Sequence, residues 1–295
     1  MERISRALEA ARAPRGAAAA VPDVPALCGT DGLAAVPVRT APAVPEAPAV
    51  PTRPPTSAPG DSDTARFRSR IVELDPIALE RERVLPPGAP GAAGSAYKML
   101  RTQVLRRLEQ LGANTLAVLS PTAGAGKTLT AINLAIAIAA EEGRTVLLVD
   151  LDLRKPSIYQ RLGFEVKVGV EECIAQRLPV QHALVKLAGY ARLTVLPARS
   201  RLESSSELLS DERTAALVAE LRSRYPNRLL IFDMPPVLQA DDALVFSRCV
   251  QAGLVVVREG HTRRDDVTRA IELLRDLKIV GTVLNGSRDS PDSAY

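Results

Sequence analysis

The feature that most constrains the fold of this 295-residue chain is a glycine-rich run placed between a strand and a helix. The run SPTAGAGKT, residues 120–128, follows the apolar stretch TLAVL and leads into an alanine- and isoleucine-rich segment with helical periodicity. A strand that passes directly into a helix through glycines indicates a layered α/β protein. At such a junction the backbone can turn several amide groups toward one anion.

Apolar runs rich in Val, Ile and Leu alternate with helical segments through the rest of the chain. Buried strands separated by helices predict a doubly wound, mostly parallel sheet, and ligands bind such sheets at the carboxyl ends of their strands. Strands are predicted at residues 115–119, 145–149, 193–196, 229–232, 253–257 and 280–284. Helices are predicted at residues 127–142, 170–176, 211–224, 240–247 and 262–277.

An amphipathic helix precedes this alternation, and ordered structure is expected to begin near Ser95. The apolar side chains of this helix recur at spacings of three and four residues. They are Tyr97, Leu100, Val104, Leu108 and Leu111. Further along, Gly143 is a predicted helix end, and Thr262, followed by two aspartates, is a predicted helix start.

Composition divides the chain into four parts. Residues 1–12 can form a short amphipathic helix, which is either a solvated, fraying segment or one that docks on a partner or a membrane surface. Residues 13–90 combine a Pro- and Ala-rich linker, which is expected to be disordered because it cannot bury a core, with a bridging segment. Residues 91–288 form the predicted α/β domain, and residues 289–295 form a flexible tail.

Composition also argues against several classes of function. The chain has no Trp, five Tyr and four Phe, and its net charge of +4 comes from scattered arginines, so we expect no nucleic-acid partner. Its three cysteines are far apart and it has two histidines, which argues against structural disulfides and zinc. No apolar run reaches the length of a membrane span, and the charged start MERISRALEAAR is unlike a secretory signal. We therefore expect a cytoplasmic protein in a reducing compartment.

The glycine-rich run carries the residue types that bind a nucleoside triphosphate. Gly124 and Gly126 allow the backbone amides to face phosphate oxygens. Lys127 can reach the β and γ phosphates, and Thr128 can supply a hydroxyl to Mg²⁺. Pro121 replaces the first glycine of the usual P-loop pattern and still makes a turn. The expected fold is that of a P-loop NTPase with ATP and Mg²⁺ as cofactors, and the predicted nucleotide-binding residues are Gly124, Ala125, Gly126, Lys127, Thr128 and Leu129.

Two further stretches end in aspartates at the same edge of the predicted sheet. VLLVDLDLRKP places Asp150 and Asp152 two residues apart, hence on one side of the strand end. On their own, a helix cap, an ion-paired turn or a solvated loop explains them as well as a functional role does. LLIFDMPP ends in Asp233, which can hold Mg²⁺ or its water shell beside the P-loop threonine. Together the motifs predict a site for phosphoryl transfer to a hydroxyl or to water. Arg154 and Lys155 can steer an acidic partner or stabilise a transferring phosphate, and a solvated basic turn explains them equally well.

In order and spacing, these motifs resemble the Walker A, Walker A′ and Walker B motifs of the bacterial tyrosine kinases (BY-kinases) of the CpsD/CapB type. The resemblance rests on the P-loop, VLLVDLDLRKPS and FDMPPVLQADDALVF, and extends to SSELLS, AYKMLRTQVLRRL and VGTVLN. It covers roughly residues 96–287, and DLDLRKP is its most specific part. It implies an ATP- and Mg²⁺-dependent protein-tyrosine autokinase that regulates capsule or exopolysaccharide synthesis and export.

The resemblance also implies a role for each matching residue. Lys127 would bind the phosphates, and Asp152 would act as the base toward a tyrosine hydroxyl. Asn285 would lie near the adenine, and Tyr295 would be the phosphate acceptor. The catalytic residues implied by the resemblance are Lys127, Asp150 and Asp152, and the residues implied around Mg²⁺ are Thr128, Asp150 and Asp233.

Kinases of this family phosphorylate a neighbouring subunit, cycle between a ring and monomers, and are activated by a membrane-spanning polysaccharide co-polymerase. The resemblance therefore implies a partner that recruits this chain to the inner face of the membrane. Two features depart from the family pattern. Tyr295 stands alone where the family has a tyrosine cluster. The ExxRxxR positions of the ring-forming helix are Ser95, Lys98 and Arg101, and the missing glutamate weakens the expected ring.

Two alternative functions stay open. One is a regulatory switch ATPase similar to the septum-positioning and plasmid-partitioning proteins, which share this sheet and P-loop position. Those proteins carry an additional lysine early in the loop, where this chain has Thr122. The other is an ATP-binding subunit of a polysaccharide export complex without kinase activity, against which the complete set of Asp150, Asp152 and Asp233 argues.

Overall fold

A computed structural model describes residues 70–224 and 227–287, and this part of the chain contains one eight-stranded sheet. The strands are β1 (Arg70–Val72), β2 (Thr115–Leu119), β3 (Thr145–Asp150), β4 (Val185–Leu187), β5 (Leu193–Leu196), β6 (Arg228–Asp233), β7 (Ala252–Arg258) and β8 (Lys278–Asn285). Their order across the sheet is β1-β4-β5-β3-β6-β2-β7-β8, and every neighbouring pair is parallel except β4 with β5. The predicted helix at residues 1–12, the linker up to residue 69 and the tail at residues 289–295 lie outside the described residues.

Helices cover both faces of this sheet, and each face has its own apolar core. The helices on one face are α1 (Pro76–Arg81), α2 (Gly91–Leu111), α3 (Lys127–Ala139) and α4 (Ile158–Leu162). The helices on the other face are α5 (Val170–Ala175), α6 (Ser205–Ser210), α7 (Glu212–Arg224), α8 (Asp242–Phe246) and α9 (Arg264–Leu273). This arrangement confirms the predicted doubly wound α/β fold. Among the helices of the described part, none is both long and apolar enough to cross a membrane.

The central strands β3, β6 and β2 are buried along almost their whole length. Successive side chains alternate between the two faces, so Leu148 and Ile231 contribute to one core while Leu147 and Phe232 contribute to the other. A strand that is buried on both faces must be apolar at every position, which explains the continuous runs VLLV and LLIF. All the strands predicted from such runs are present, each within two residues of its predicted ends.

Ordered structure begins well before Ser95, in contrast to the prediction. Strand β1 pairs in parallel with β4, with Arg70 opposite Val185, and α1 follows with Asp75 as its capping residue. The last part of the segment predicted as linker and bridge, from Arg70 onward, is therefore packed on the α/β domain. Both β1 and β4 have three residues, too few for an alternating pattern to stand out in the sequence.

Several helix details also differ from the prediction. Helix α3 ends at Ala139, short of the predicted end at Gly143, and α9 ends at Leu273, short of the predicted residue 277. On α2 the buried side chains include Leu105, whereas Leu111, at the last position of the helix, is 46% exposed. Helix α9 begins after Arg263 and not at Thr262. The hydroxyl of Thr262 instead accepts the amide N–H of Arg258 at 2.9 Å, which engages it in the preceding turn.

One buried side chain of α3 holds the bridging segment in place. The Asn133 side chain accepts the amide N–H of Leu85 at 2.9 Å and donates from Nδ2 to the carbonyl of Arg83 at 3.0 Å. Arg83 has a φ of 59°, a left-handed conformation that residues other than glycine rarely adopt. Asn133 itself is 3% exposed. The helix that begins at the P-loop is thus tied directly to the segment that precedes the α/β domain.

Replacing Asn133 by alanine is expected to release the bridging segment. The change leaves two partly buried backbone groups without their partner, and we expect the free energy of unfolding to fall by about 1–3 kcal/mol. Hydrogen exchange at the Leu85 amide should become faster. The matched variant Gln103→Ala, on an exposed position of α2, should change neither quantity. Equal destabilisation by both variants, measured by denaturant unfolding, would contradict this role of Asn133.

Candidate functional site

The carboxyl ends of β2, β3 and β6 meet at one edge of the sheet, and each of the three predicted motifs follows one of these ends. Asp150 and Asp233 are direct register partners at the ends of β3 and β6. The P-loop, which connects β2 with α3, lies beside them. A cleft of about 360 Å³, called here the phosphate cleft, opens between these loops. Among the side chains that line it are Lys127, Thr128, Asp152, Arg154, Lys155 and Ser157.

The two predicted P-loop glycines have backbone conformations that other residues rarely adopt. Gly124 has a φ of 78° and Gly126 a φ of 90°. Asn285, the last residue of β8, donates from Nδ2 to the carbonyl of Ala125 at 2.9 Å, and its side chain lies against Gly126. Arg258 donates to the carbonyl of Gly124 at 3.3 Å. These contacts hold the P-loop from the side of β7 and β8.

Lys127 lies between two of the acidic residues. Its Nζ is 2.6 Å from Oδ2 of Asp152, 3.4 Å from Oδ1 of Asp233 and 3.3 Å from the Thr128 hydroxyl. Burial alone would lower the pKa of the ammonium, but the carboxylates of Asp233 and Asp152 outweigh it, so the pKa of Lys127 is raised. The two contacts beyond 3.2 Å are weak. They are the contacts that a phosphate oxygen can most easily replace.

Thr128 and Asp233 form an oxygen-rich pair at the start of α3. The Thr128 hydroxyl donates to Oδ2 of Asp233 at 2.6 Å, and Asp233 is fully buried. Burial raises the pKa of Asp233, while Lys127 and the Thr128 hydroxyl oppose the rise. Mg²⁺ prefers oxygen ligands and commonly takes one or two carboxylates together with phosphate oxygens and water. The donor set of this pair therefore fits Mg²⁺.

Asp150 organises the loop after β3. Its Oδ2 accepts the amide N–H groups of Ser157 and Ile158, each at 3.0 Å, and its Oδ1 accepts that of Asp152 at 3.2 Å. Burial and, next, the neighbouring Asp233 carboxylate raise the pKa of Asp150 to about 8, against the hydrogen bonds from the loop. Two carboxylates this close in an apolar environment favour the approach of a cation.

Asp152 lies on the same loop and faces the phosphate cleft. The amide N–H of Lys155 donates to its Oδ1 at 3.0 Å, while Lys127 occupies its Oδ2. The carboxylate is thus fixed next to the lysine predicted to bind phosphates, on the wall of the phosphate cleft. Arg154 is held differently, because its Nε donates to Oδ2 of Asp242 at 3.0 Å.

Sequence reasoning missed two residues of this site. Ser157 has its hydroxyl 3.4 Å from that of Thr128, and Asp242, which is fully buried, holds Arg154. No local pattern singles out the serine. For the aspartate a signal exists, because Asp242 and the buried Phe246 lie four residues apart in α8 and hence on one face of the helix.

A larger cavity of about 860 Å³ lies between the bridging segment and α3. Leu129 and Asn285, both predicted to bind nucleotide, line this cavity and not the phosphate cleft. Leu85 and Tyr97 form part of its wall, and burial raises the pKa of the Tyr97 hydroxyl. The predicted nucleotide-binding residues are therefore divided between two neighbouring spaces, except that the buried Ala125 lines neither of them. Tyr295, the predicted acceptor, lies outside the described residues.

Alanine at Gly126 is expected to weaken nucleotide binding more than alanine at Gly124 does. Both positions have positive φ, which costs an L-residue about 1–2 kcal/mol, or about 5- to 30-fold in affinity. An added Cβ at Gly126 would also meet the side-chain amide of Asn285, whereas one at Gly124 meets no atom within 4 Å. Calorimetric titration with Mg²⁺ and a non-hydrolysable ATP analogue measures the difference. Equal affinities of the two variants would show that the contact with Asn285 does not matter.

The chain is similar to known P-loop proteins over most of its length. The family described as ParA, NUBPL iron-transfer P-loop NTPase, matches residues 112–290. Tyrosine-protein kinase YwqD of Bacillus subtilis is 29% identical over 201 residues, which make up 68% of this chain and 83% of YwqD. Tyrosine-protein kinase wzc of Salmonella typhi is 28% identical over 209 residues, which make up 70% of this chain and 28% of wzc.

A solved structure extends the similarity to three dimensions. The kinase domain of the Escherichia coli tyrosine kinase ETK superimposes with a TM-score of 0.63 and 25% identity, covering 77% of this chain and 92% of that domain. The chain thus spans most of YwqD and of the ETK kinase domain, and less than a third of wzc. The chain belongs to the ParA group of P-loop NTPases and, within it, to the bacterial tyrosine kinase (BY-kinase) family.

Proposed function

We propose that this chain is an ATP- and Mg²⁺-dependent protein-tyrosine autokinase that regulates capsule or exopolysaccharide synthesis and export. The observation that carries the proposal is the position of Lys127, 2.6 Å from Asp152 and 3.4 Å from Asp233. Asp233 accepts the hydroxyl of Thr128, and the oxygen atoms of this pair suit Mg²⁺, while Asp152 faces the phosphate cleft. Phosphoryl transfer to a hydroxyl needs both functions, namely charge neutralisation at the phosphate and a carboxylate that orients or deprotonates the acceptor.

In this proposal the P-loop binds the phosphates of ATP. Its backbone amides and the Lys127 ammonium donate to phosphate oxygens. Thr128 and Asp233 hold Mg²⁺, with Asp150 beside them. The metal, when bound, would neutralise charge on the phosphates and on the two buried aspartates. The support for these roles is the oxygen donor set and the electrostatic demand of Asp150 and Asp233, whose pKa values are raised.

The adenine of ATP is proposed to enter the larger cavity. Leu129 and Asn285 line this cavity, and most of its other lining residues are apolar, which suits the planar face of a base. Asn285 also holds the carbonyl of Ala125. One side chain therefore contacts the P-loop and borders the proposed base site at the same time.

Asp152 is proposed to act as the base toward a tyrosine hydroxyl, with Tyr295 as the acceptor. The hydroxyl oxygen bonds to the γ phosphorus, the oxygen that bridges the β and γ phosphates leaves with ADP, and the hydroxyl proton passes to Asp152. The fixed orientation of Asp152, which accepts the Lys155 amide at 3.0 Å, supports this role.

A membrane-spanning polysaccharide co-polymerase is proposed to recruit the chain to the inner face of the membrane. The chain is also proposed to form a weak homo-oligomer. On α2, Ser95 and Lys98 are exposed and can face a neighbouring subunit. Arg101 instead stays within its own chain, where it donates to the carbonyl of Ala137 at 3.3 Å and pairs with Glu141 at 3.4 Å. Two of the three ring-helix positions are thus open to a second subunit, and neither is acidic.

The proposal is tested by incubating the full chain with labelled ATP and Mg²⁺, with and without the cytoplasmic segment of the membrane partner, followed by peptide mapping. We expect phosphotyrosine at Tyr295 and its loss in Lys127→Ala. ATP hydrolysis without phosphotyrosine would favour the regulatory switch ATPase. Nucleotide binding without hydrolysis or transfer would favour a non-catalytic subunit.

Replacing Asp152 by asparagine is expected to separate binding from chemistry. Loss of the base should lower the single-turnover rate of phosphoryl transfer by about 10²- to 10⁴-fold, without a comparable loss of nucleotide affinity. The control Asp276→Asn removes a carboxylate that is 90% exposed, between α9 and β8 at the opposite end of the sheet. It should leave both quantities unchanged. An unchanged transfer rate in Asp152→Asn would contradict the proposed base.

A further inference from the structure

A second cleft, of about 510 Å³, lies next to the phosphate cleft and has basic walls. Four cationic side chains line it around Tyr159, and none of its lining residues is acidic. Two come from the loop after β3 and two from the loop after β5, the neighbouring strand in the sheet. This cleft is called here the basic groove, and its cationic residues are Arg154, Lys155, Arg199 and Arg201.

The loop after β5 is fixed by a buried carboxylate. Glu171, which is 5% exposed, accepts the amide N–H of Ser200 at 2.7 Å and that of Arg199 at 3.1 Å. Both contacts are to the backbone, and the side chains of Arg199 and Arg201 are exposed. The loop therefore presents two cations from a defined backbone conformation.

Two of the four cations have a carboxylate partner. Arg154 pairs with Asp242 at 3.0 Å, and Arg199 pairs with a glutamate of α5 at 2.6 Å. Lys155 and Arg201 are exposed and form no ion pair within the described part of the chain. Arg154 also lies 3.8 Å from Asp241, so Lys155 and Arg201 are the two groove cations without a carboxylate partner in the described part, and they favour an acidic ligand.

The basic groove leads to the proposed catalytic base. Arg154 and Lys155 line both this groove and the phosphate cleft, and the backbone of Lys155 donates to Asp152. A peptide that follows the groove therefore ends beside the Asp152 carboxylate.

We propose that the basic groove binds the acidic segment before Tyr295 of a second copy of the chain and so selects the acceptor tyrosine. This inference rests on the proposed function. The segment DSPDSAY carries Asp289 and Asp292, six and three residues before Tyr295. With Tyr295 at Asp152, an extended chain places Asp292 at most about 11 Å away, on the side where Lys155 lies. The part of the segment before Asp292 then runs toward the loop after β5, which places Asp289 near that loop.

The length of the tail favours a second copy as the source of this segment. Strand β8 is separated from β3 by β7, β2 and β6, which makes four strand spacings of about 4.8 Å, or about 19 Å. The five residue-to-residue steps from Ser287 to Asp292 span at most about 18 Å, and the groove lies farther still, between β3 and β5. The P-loop also lies across this path. Asp292 of the same copy would reach the groove only with the tail fully extended across the P-loop, whereas Asp292 of a second copy has no such limit.

The test uses two versions of the full chain. The donor copy carries Tyr295→Phe and cannot accept phosphate, and the acceptor copy carries Lys127→Ala and cannot transfer it. With ATP and Mg²⁺ we expect phosphate on Tyr295 of the acceptor copy. The double change Asp289→Asn and Asp292→Asn in the acceptor should raise its KM about 3- to 10-fold, as expected for two exposed ion pairs, with little change in kcat. High salt should reduce the difference.

Charge reversal on the donor side identifies the groove. Arg201→Glu should raise KM to a similar extent and leave ATP affinity unchanged, because Arg201 does not line the phosphate cleft. Asp289→Lys in the acceptor should restore transfer by this donor, because Asp289 is the aspartate placed at the loop that carries Arg201. Lys278→Glu, at an exposed position at the opposite end of the sheet, is the matched control and should leave KM unchanged. An unchanged KM for Arg201→Glu would overturn the proposal.

Binding is measured separately from chemistry. A fluorescent peptide of residues 286–295 is titrated onto the donor copy with Mg²⁺ and a non-hydrolysable ATP analogue, beside the same peptide with both aspartates replaced by asparagine. If the acidic peptide binds more tightly than the asparagine peptide, and Arg201→Glu removes this difference, the groove is supported. This holds even if no phosphotyrosine forms, because a lack of phosphotyrosine overturns only the proposed function. Equal affinities overturn the groove even if Tyr295 is phosphorylated. If Tyr295 is phosphorylated only in copies that also have an intact active site, transfer occurs within one copy. That result overturns the choice of a second copy as the source of the segment.

Discussion

Two carboxylates that lie side by side in the interior of the sheet determine the arrangement of everything around them. Asp150 and Asp233 end adjacent strands in direct register, and both are fully buried. Their mutual repulsion and burial are offset by the Lys127 ammonium, the Thr128 hydroxyl and backbone amides of the loop after β3. Lys127 and Thr128 come from the end of the P-loop and the amides from the loop after β3, so the same electrostatic demand brings these two loops and the β6 strand end into one site. Because two buried carboxylates lower the stability of the fold, their presence side by side points to a functional role.

The departure of the P-loop from its usual pattern has a structural explanation. Pro121 stands where the pattern has a glycine, and its carbonyl accepts the amide N–H of Leu238 at 3.1 Å. The adjacent Ser120 carbonyl accepts the amide of Val237 at 2.9 Å. At the start of the loop the carbonyl groups of Ser120 and Pro121 accept hydrogen bonds. Proline keeps its carbonyl group and lacks only the N–H group, so it serves in this position. These two bonds also join the start of the P-loop to the segment after Asp233.

The sequence predicts those features that depend on neighbouring residues, and it does not predict contacts between residues far apart in the chain. The short run VLLV is rich in β-branched and leucine residues and favours a strand buried on two faces, and the glycines at 124 and 126 have positive φ, so the central sheet and the P-loop were predictable. The ion pair between Arg154 and Asp242 joins positions 88 residues apart, and the turn at Arg83 is held by a residue 50 positions away. Such pairings depend on how strands are ordered in the sheet, which no periodicity encodes. The roles of Asp152 and Asn285 came from the family resemblance and not from spacing.

The P-loop has a further consequence for how the chain acquires its structure during synthesis. The loop is made early, yet Thr128 contacts Asp233, 105 residues later, and the carbonyl of Ala125 contacts Asn285, 160 residues later. Strand β2, from which the loop emerges, likewise has only later strands, β6 and β7, as neighbours. Such long-range contacts form slowly and late. The contacts that surround the P-loop in the folded chain are therefore complete only after β8, the last strand of the described part, has been synthesised.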